Sequence, residues 1–434
     1  MHISIEARQQ AQALLDFIDS SPSPWHAVES VASRLKAQGF KNLRENEPWQ
    51  FKQGGKYFVV RDGGSVIAFV LGQQPVADTG FRLVGAHTDS PGLRLKPKAA
   101  YATQGLAQLG VEVYGGPILA TFTDRDLSIA GRVTVNSEQG FNTHLVKLEQ
   151  PVARLPNLAI HMNREVNEKG LLLNKQTGLP LIFGNAANTE AAHSLLTNLL
   201  AQTLALPAEK IVGWDVALYD TQRGSFWGIE QEFIANSQLD NLASCHAALE
   251  ALLHSEKPQS TTICALFDHE EVGSESTTGA GGSFLLDVIN RICSATSTSE
   301  EEKLRAFANS FFISADMAHA FHPNHAGSYE PCHHVLVNHG PVIKTNANQR
   351  YSTNAVTATR FIQLCEAAGV PYQQYAHRTD LGCGSTIGPI MAAQLGIPTV
   401  DVGNPMWAMH SIRESAGVLD HAAMIAVLKQ HFRA

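Results

Sequence analysis

Two adjacent glutamates, Glu270 and Glu271, follow a run of apolar residues and precede a glycine-rich turn. The segment reads Asp268-His269-Glu270-Glu271-Val272-Gly273-Ser274 and comes directly after the apolar residues 263–267. Carboxylates at the end of a buried strand are costly unless a cation neutralises them. A divalent metal would do so, and one glutamate could then bind the metal while the other transfers protons. The alternative is a solvated acidic loop, the usual fate of such a pair.

Four more polar residues follow apolar runs where predicted strands end: His87, Asp240, Asp316 and His410. Ligands bind at the carboxyl ends of strands in open α/β sheets. Together with Glu271, these two imidazoles and three carboxylates suit a pair of divalent ions such as zinc. A shared aspartate would bridge ions ~3.5–4 Å apart.

Each of these residues also has an alternative role when it is taken alone. His87 would be an ordinary buried histidine, and Asp240 would be the N-cap of the helix that follows it. Asp316 would cap a loop, and His410 would be a plain loop residue. One shared site explains all the positions at once, whereas separate structural roles require a coincidence at each strand end.

Motifs of other enzyme classes are absent. Gly273 stands three residues after Glu270 where HExxH requires a histidine, so the helix of single-zinc proteases is not indicated. No G-x-S-x-G elbow occurs. Residues 278–283 are rich in glycine but match neither a P-loop nor G-x-G-x-x-G, and they indicate a flexible turn before a helix.

Predicted helices and strands alternate along much of the chain, and these elements must position the polar residues. Periodic and β-branched apolar patterns predict helices at 5–20, 25–38, 240–254, 284–293, 353–368 and 419–432, and strands at 56–60, 65–70, 81–86, 260–267 and 309–315. Between about 94 and 230, short strand-like runs dominate around one helix near 190–204. We therefore predict an α/β fold: a three-layer α/β/α catalytic domain with a mixed sheet, formed by residues 1–93 and 231–434, and an inserted, mostly β domain at 94–230.

Composition narrows the class of protein. The 434 residues carry a formal net charge of −8 and no block of basic residues, which argues against a nucleic-acid partner. The six cysteines are scattered without a CxxC pair, as expected of a reducing, cytoplasmic compartment. The N-terminus has no signal-peptide pattern, and no apolar run approaches the ~18 residues of a membrane span.

Several segments resemble those of the aspartyl aminopeptidase family. They lie at 86–97 (beginning Ala86-His87-Thr88-Asp89-Ser90-Pro91), 157–164, 268–274, 314–320, 348–351 and 409–414 (Met409-His410-Ser411-Ile412-Arg413-Glu414). The likeness covers essentially the whole chain in the family's order. It implies a di-zinc exopeptidase with an α/β/α catalytic domain and an inserted dimerisation domain, whose dimers assemble into a dodecamer.

The resemblance also implies roles for the site residues. One zinc would be bound by His87, Asp240 and Asp316 and the other by Asp240, Glu271 and His410, with a cis peptide bond between Asp240 and Asn241. Glu270 would be the general base for a water bound by both metals. Asp89 would orient the ring of His87, and it is also well placed as a turn residue. His161 would reach the partner subunit's site and stabilise the oxyanion, unless it is a buried strand histidine.

Selectivity for an acidic N-terminal residue requires a cation or hydrogen-bond donors in the side-chain pocket. Lys344 is the best candidate, and its alternative is a solvated surface lysine. The other pocket residues that we expect from matching segments are His319, Tyr351, Asp380, Gly382, Cys383 and Gly384. Leu381-Gly382 stand where the family often has Met-Pro, which leaves a strict Asp/Glu preference open.

The sequence therefore predicts a cytoplasmic metallo-aminopeptidase that acts on peptides with a free N-terminus. Two Zn²⁺ ions are expected, with Co²⁺ or Mn²⁺ as possible substitutes. One alternative is a di-metal aminopeptidase or deacylase of broad or neutral specificity. Another is a catalytically silent scaffold that retains structural zinc, although neither Glu270 nor any ligand is missing.

Overall fold

Three β-sheets organise the chain, and the computed structural model describes residues 3–433. Strands and helices are numbered separately in chain order. The nine-stranded sheet contains β1 (Lys41–Leu43), β2 (Lys56–Arg61), β3 (Ser65–Val70), β4 (Phe81–His87), β13 (Thr261–Phe267), β14 (Phe311–Ala315), β16 (Val342–Thr345), β17 (Gln373–Ala376) and β18 (Thr399–Gly403). Their order is β1-β2-β3-β13-β4-β14-β18-β16-β17. The sheet is mixed, since β13, β4, β14 and β18 run parallel while β3 and β16 are antiparallel to their neighbours β13 and β18.

Helices cover both faces of this sheet. In chain order, the helices of the described residues are α1 (Ile5–Asp19), α2 (Pro24–Ala37), α3 (Val76–Thr79), α4 (Val166–Lys169), α5 (Thr189–Leu204), α6 (Leu239–Leu253), α7 (Phe284–Ala295), α8 (Glu300–Asn309), α9 (Ala355–Ala368), α10 (Ile387–Leu395) and α11 (Val418–Arg433). Of these, α4 and α5 belong to the segment 92–220 and do not cover this sheet. Along β4, Val84 and Ala86 belong to the core formed with α1, α6 and α11, whereas Phe81 and Leu83 belong to the core formed with α7 and α10. This alternation is that of a strand buried on both faces. The predicted three-layer α/β/α architecture is confirmed.

Helix α6 lies at the centre of the molecule and is buried on nearly its whole surface. Most residues of its regular part are alanine or leucine, as expected of a helix inside a core. Its first turn is irregular, because Asp240 and Asn241 have non-helical dihedral angles and the peptide bond between them is cis. The Asp240 side chain does not cap the helix, so the N-cap interpretation was wrong.

The second sheet lies within residues 92–220 and is antiparallel. Its strands are β5 (Gly92–Thr103), β6 (Leu106–Tyr114), β7 (Leu127–Ser137), β8 (Gly140–Lys147), β9 (Leu181–Asn185) and β10 (Ile211–Asp220), in the order β8-β7-β10-β5-β6-β9. Helix α5 packs its Leu196 and Leu200 into the core of this sheet. The division into a catalytic domain and an insert at 94–230 stays a prediction.

A third, five-stranded sheet was not predicted. It contains β11 (Ser225–Trp227), β12 (Phe233–Asn236), β15 (Ala318–His319), β19 (Pro405–Trp407) and β20 (Glu414–Gly417), in the order β11-β12-β20-β19-β15. It brings together the chain just before Asp240, just after Asp316 and on both sides of His410. Among residues 3–433, no helix is both long and apolar enough to cross a membrane.

Candidate metal centre

The site forms where three neighbouring strands of the nine-stranded sheet end. Strands β13, β4 and β14 are parallel, with Phe267 paired to His87 and Ser314 paired to Gly85. This register places the chain after Phe267, the end of β4 and the residue after Ala315 at one edge of the sheet. Glu270 and Glu271 lie in a short 3-10 helix just beyond β13. The sequence rule that strand ends carry the polar residues therefore holds here.

Three groups of side chains have ligand atoms close enough to hold a metal ion. They are His87 with Asp240 and Asp316, Asp240 with Glu271 and His410, and His87 with Glu270 and Glu271. In the first group, His87 Nε2 lies 3.4 Å from Asp240 Oδ1 and 3.6 Å from Asp316 Oδ1. In the second, His410 Nε2 lies 3.3 Å from Asp240 Oδ2 and 3.4 Å from Glu271 Oε1.

Asp240 is common to the first two groups, and its two oxygens face different histidines. Oδ1 faces His87 and Oδ2 faces His410. Asp240 is only 3% exposed, and its Oδ1 atom is buried without a hydrogen-bond partner. A buried carboxylate oxygen left in this state is costly, and a bound cation would satisfy it. Asp240 thus contributes one carboxylate oxygen to each of the two groups.

The electrostatics of the cluster also favour a cation. Burial raises the pKa of Glu270, and the negative charges of Asp316 and Glu271 add to this effect against the opposing influence of His87. Burial likewise raises the pKa of Glu271. In Asp240, the effect of burial is outweighed by the nearby imidazoles of His410 and His87, which lower its pKa. Metal ions commonly take the place of the protons that such groups would otherwise retain.

Asp89 organises the residues around His87. Its carboxylate is fully buried, lies 3.4 Å from His87 Nδ1 and accepts hydrogen bonds from the backbone N–H groups of Glu270 and Glu271, both at 3.1 Å. It also accepts a bond from the Tyr114 hydroxyl at 2.7 Å. Asp89 thus connects the ring of one histidine, the Glu270–Glu271 turn and the end of strand β6.

The chain matches a known family of metal-dependent enzymes over most of its length. A family model described as aminopeptidase I zinc metalloprotease (M18) matches residues 17–432. The chain belongs to the M18 family. It is therefore a zinc-dependent aminopeptidase, which confirms that part of the sequence prediction.

Curated and structural relatives agree with this M18 assignment. The chain is 48% identical over 419 residues to a probable M18 family aminopeptidase 2 of Stutzerimonas stutzeri, covering 96% of both chains. It is similar to Ape4 from a complex of Ape4 and Nbr1, with a TM-score of 0.96, 37% identity and coverage of 100% of this chain and 88% of that one. It is also similar to the mApe1 dodecamer of S. cerevisiae, with a TM-score of 0.85, 28% identity and coverage of 98% and 96%.

The residues present fit the zinc that the M18 family implies. Imidazole nitrogens and carboxylate oxygens are ordinary zinc ligands. The unpartnered Asp240 Oδ1 lies where such a ligand is needed. His410 Nδ1 is 3.0 Å from the backbone oxygen of Gly116, a contact that orients the ring and leaves Nε2 free to bind a metal.

Lys344 is buried beside the M18 metal centre. It is 2% exposed, so it is not a solvated surface lysine. Its Nζ donates a hydrogen bond to the Met317 backbone oxygen at 3.1 Å, lies 3.9 Å from Asp316 Oδ2 and sits 5.0 Å from the centre of the Tyr351 ring. The ammonium group is thus next to a candidate ligand and to a second predicted pocket residue.

His319 lies in the same region, with its ring 6.0 Å from that of Tyr375 and 6.3 Å from that of His377. Burial lowers the pKa of His319 to about 4, with further contributions from the neighbouring Lys344 and His377. The ring is therefore neutral near pH 7, and it can donate one hydrogen bond without adding a charge.

The predicted residues at 380–384 are more exposed. Cys383 is partly buried against the cluster that contains Tyr351, whereas Gly382 and Gly384 are exposed. The carboxylate of Asp380 is exposed and pairs with Arg378. Because Asp380 is already paired at the surface, it is the weakest of the predicted pocket residues.

His161 is exposed in a short 3-10 helix, Ile160–Met162, so it is not a buried strand histidine. Its neighbours Leu158, Ile160 and Met162 are exposed apolar residues. Within residues 3–433, no hydrogen bond or ion pair connects His161 to the metal-site residues.

Two residues that contact the site were missed by the sequence analysis. Tyr114 ends strand β6, and Arg94 on the neighbouring strand stacks over its ring at 3.5 Å. Glu414 is buried beside Asp240 and His410. A signal for Glu414 existed in its spacing of four residues from His410, but an isolated glutamate at that spacing is not distinctive. Nothing in the sequence singles out Tyr114.

We expect Tyr114→Phe to lower kcat/KM about 10-fold or more, because a hydrogen bond to a charged group contributes roughly 1.5–3 kcal/mol. When the Tyr114 hydroxyl is removed, Asp89 loses one of its hydrogen-bond donors and holds His87 and the Glu270–Glu271 turn less firmly. Steady-state kinetics and zinc content of the purified variant measure the effect. Tyr101→Phe on strand β5 is the control, and equal kinetics for both variants would contradict the role of Tyr114.

Proposed function

We propose that this M18 enzyme removes single N-terminal residues, preferably Asp or Glu, from peptides, and that it uses two metal ions. The observation that carries the proposal is the position of Asp240 between two histidines, with one carboxylate oxygen facing each. Two ligand groups that share one carboxylate are the arrangement expected of a two-metal hydrolase.

The proposed ligands are His87, Asp240 and Asp316 for the first metal and Asp240, Glu271 and His410 for the second. The support for this assignment is that both trios occur among the groups of suitable ligand atoms. Zinc is the metal of the family. Cobalt or manganese would be tolerated by the same nitrogen and oxygen donors.

Glu270 is the proposed general base. When bound, zinc supplies a Lewis acid that polarises the scissile carbonyl and lowers the pKa of water. Glu270 Oε2 lies 4.0 Å from His87 Nε2, so this carboxylate borders the cluster. It would accept a proton from the attacking water and deliver it to the leaving amine. Desolvation at this position favours uptake of a proton by Glu270.

Lys344 is the proposed determinant of acidic specificity. Its ammonium group is buried next to Asp316, within reach of a substrate held at the centre. The Coulomb attraction of a buried cation for a carboxylate is stronger than that of an exposed one, because water screens it less. His319 would add a neutral donor, and Tyr351, Gly382, Cys383 and Gly384 would shape the pocket. The present contacts of Lys344 Nζ with Met317 and Asp316 would compete with the substrate carboxylate. The proposed preference for acidic residues is therefore partial and not absolute.

His161 is proposed to act in the site of a partner subunit. Its exposure among Leu158, Ile160 and Met162 supports this role, because an exposed apolar segment commonly marks an interface. We propose a dimer as the active unit and, since the S. cerevisiae relative is described as a dodecamer, a dodecamer as the assembly. The six free cysteines support a cytoplasmic location.

Glu270→Gln tests the proposed function directly. We expect kcat on aspartyl- and glutamyl-anilide to fall by roughly 10²- to 10⁴-fold, because the proton acceptor is lost. Wild-type enzyme should prefer these substrates over leucyl- and alanyl-anilide. Glu275→Gln, on the same loop but exposed, is the control. A wild-type preference for the neutral substrates would overturn the specificity, and a loss of zinc from Glu270→Gln would make Glu270 a ligand instead.

Lys344→Met should lower kcat/KM for the two acidic substrates by about 10- to 100-fold and change the neutral ones little. The physical reason is the loss of a charged hydrogen bond of ~1.5–3 kcal/mol. Lys52→Met at an exposed position is the control. An equal decrease for acidic and neutral substrates, together with lower zinc content, would mean that Lys344 acts through Asp316 and not on the substrate.

A mixing experiment tests the role of His161. His161→Phe and Glu270→Gln should each be nearly inactive as homodimers. After exchange of subunits, roughly a quarter of all sites should be complete, because half of the dimers are mixed and each mixed dimer has one site with both residues. Recovered activity on aspartyl-anilide measures this fraction. No recovery despite mixed dimers, verified with two affinity tags, would contradict action across the interface.

A further inference from the structure

Glu414 is a buried carboxylate that binds the backbone of two candidate metal ligands. It is 2% exposed. Its Oε2 accepts a hydrogen bond from the backbone N–H of Asp240 at 3.0 Å, and its Oε1 accepts one from the backbone N–H of His410 at 2.6 Å. Among residues 3–433, no lysine or arginine forms an ion pair with it. The hydrogen bonds from the two backbone amides therefore offset the cost of removing this carboxylate from water.

The topology of the five-stranded sheet explains why this residue reaches both amides. Strand β20 begins at Glu414 and lies between β12 and β19. Strand β12 leads to Asp240, and strand β19 leads to His410. Residue pairs Asn236–Glu414 and Trp407–Ser415 fix the register on the two sides. Glu414 is thus at the end of the strand between the two chain segments that it joins.

Both segments are irregular and need external hydrogen bonds to define them. His410 has a positive φ of 68°, and Asp240 lies in the non-helical start of α6. The Asp240 backbone is held on its other side by the Ser90 hydroxyl, which donates to the Asp240 carbonyl oxygen at 2.6 Å. Without Glu414, the N–H groups of Asp240 and His410 would lose these partners, and the His410 ring would lose its fixed position relative to Asp240.

Asp89 offers a parallel within the same molecule. It too is a buried carboxylate that accepts bonds from two backbone amides, those of Glu270 and Glu271, while it faces His87. Asp89 contacts the side of the cluster that contains His87, and Glu414 contacts the side that contains His410. Each histidine thus has one buried carboxylate that organises the backbone around it.

We propose that Glu414 is a positioning residue for the second metal, the one assigned to Asp240, Glu271 and His410. Its two hydrogen bonds hold the bridging aspartate and the histidine at the separation that lets both bind one ion. The inference rests on the proposed two-metal function. It assigns Glu414 no contact with metal or substrate, and it predicts that the two sites respond unequally when Glu414 is changed.

The test is the zinc content and zinc affinity of Glu414→Gln, measured on the full-length enzyme by elemental analysis and by competition with a chelator. Outer residues that orient metal ligands typically contribute about 10- to 100-fold to affinity. We therefore expect affinity at the weaker site to fall about 10- to 100-fold while the other site changes little. Dialysis that leaves two zinc ions on wild type should leave one on the variant. Glu414→Asp, whose shorter side chain cannot span both amides, should behave in the same way.

Asp420→Asn is the matched control. Asp420 is also fully buried and accepts bonds from two backbone amides, those of Asn338 and Gly340, but it supports a loop away from the candidate ligands. This variant should melt at a lower temperature and keep both zinc ions.

Two results would overturn the inference about Glu414. One is wild-type affinity at both sites in Glu414→Gln and Glu414→Asp. The other is an equal loss of zinc from Asp420→Asn. A wild-type enzyme that binds only one zinc would instead refute the two-metal function on which the inference rests.

Discussion

Negative charge concentrated in a small buried volume is the constraint on which the rest of the structure depends. Six carboxylates lie around two histidines: Asp89, Asp240, Glu270, Glu271, Asp316 and Glu414. Among residues 3–433, Lys344 is the only lysine or arginine that forms an ion pair with one of them. Such a group is unfavourable unless amides, histidines and metal ions compensate it. The backbone N–H groups that donate hydrogen bonds to Asp89 and Glu414 supply part of this compensation, and the proposed metal ions would supply the rest.

The three sheets share the task of holding this charge. The nine-stranded sheet delivers His87, the two glutamates and Asp316 from adjacent parallel strands. The five-stranded sheet sets the separation of Asp240 and His410 through the strand between them. The six-stranded sheet contributes Tyr114, whose hydroxyl donates a hydrogen bond to the Asp89 carboxylate. The relative positions of the three sheets therefore set the distances between the candidate ligands.

Much of this arrangement could be predicted from the sequence because parallel strands give long apolar runs, and a polar residue after such a run stands out. His87, Glu271 and Asp316 were found in this way. The five-stranded sheet was missed because its strands are only two to four residues long, too short for a period to appear. Glu414 and Tyr114 were missed because they act through a backbone amide or another side chain's oxygen, and such partners leave no spacing pattern. The pairing of Asp380 with Arg378 depends on a local turn and could not be read from the sequence, so the role of Asp380 in the pocket stays a prediction.

The wide separation of the ligands along the chain has a consequence for biosynthesis. His87 leaves the ribosome long before Asp240, and His410 and Glu414 follow more than three hundred residues after His87. A nascent chain that has folded only strands β1 to β4 presents an incomplete set of ligands. The proposed set of ligands is therefore complete only after nearly all of this sequence has been translated. In the proposed centre, metal binding would then be coupled to completion of the fold.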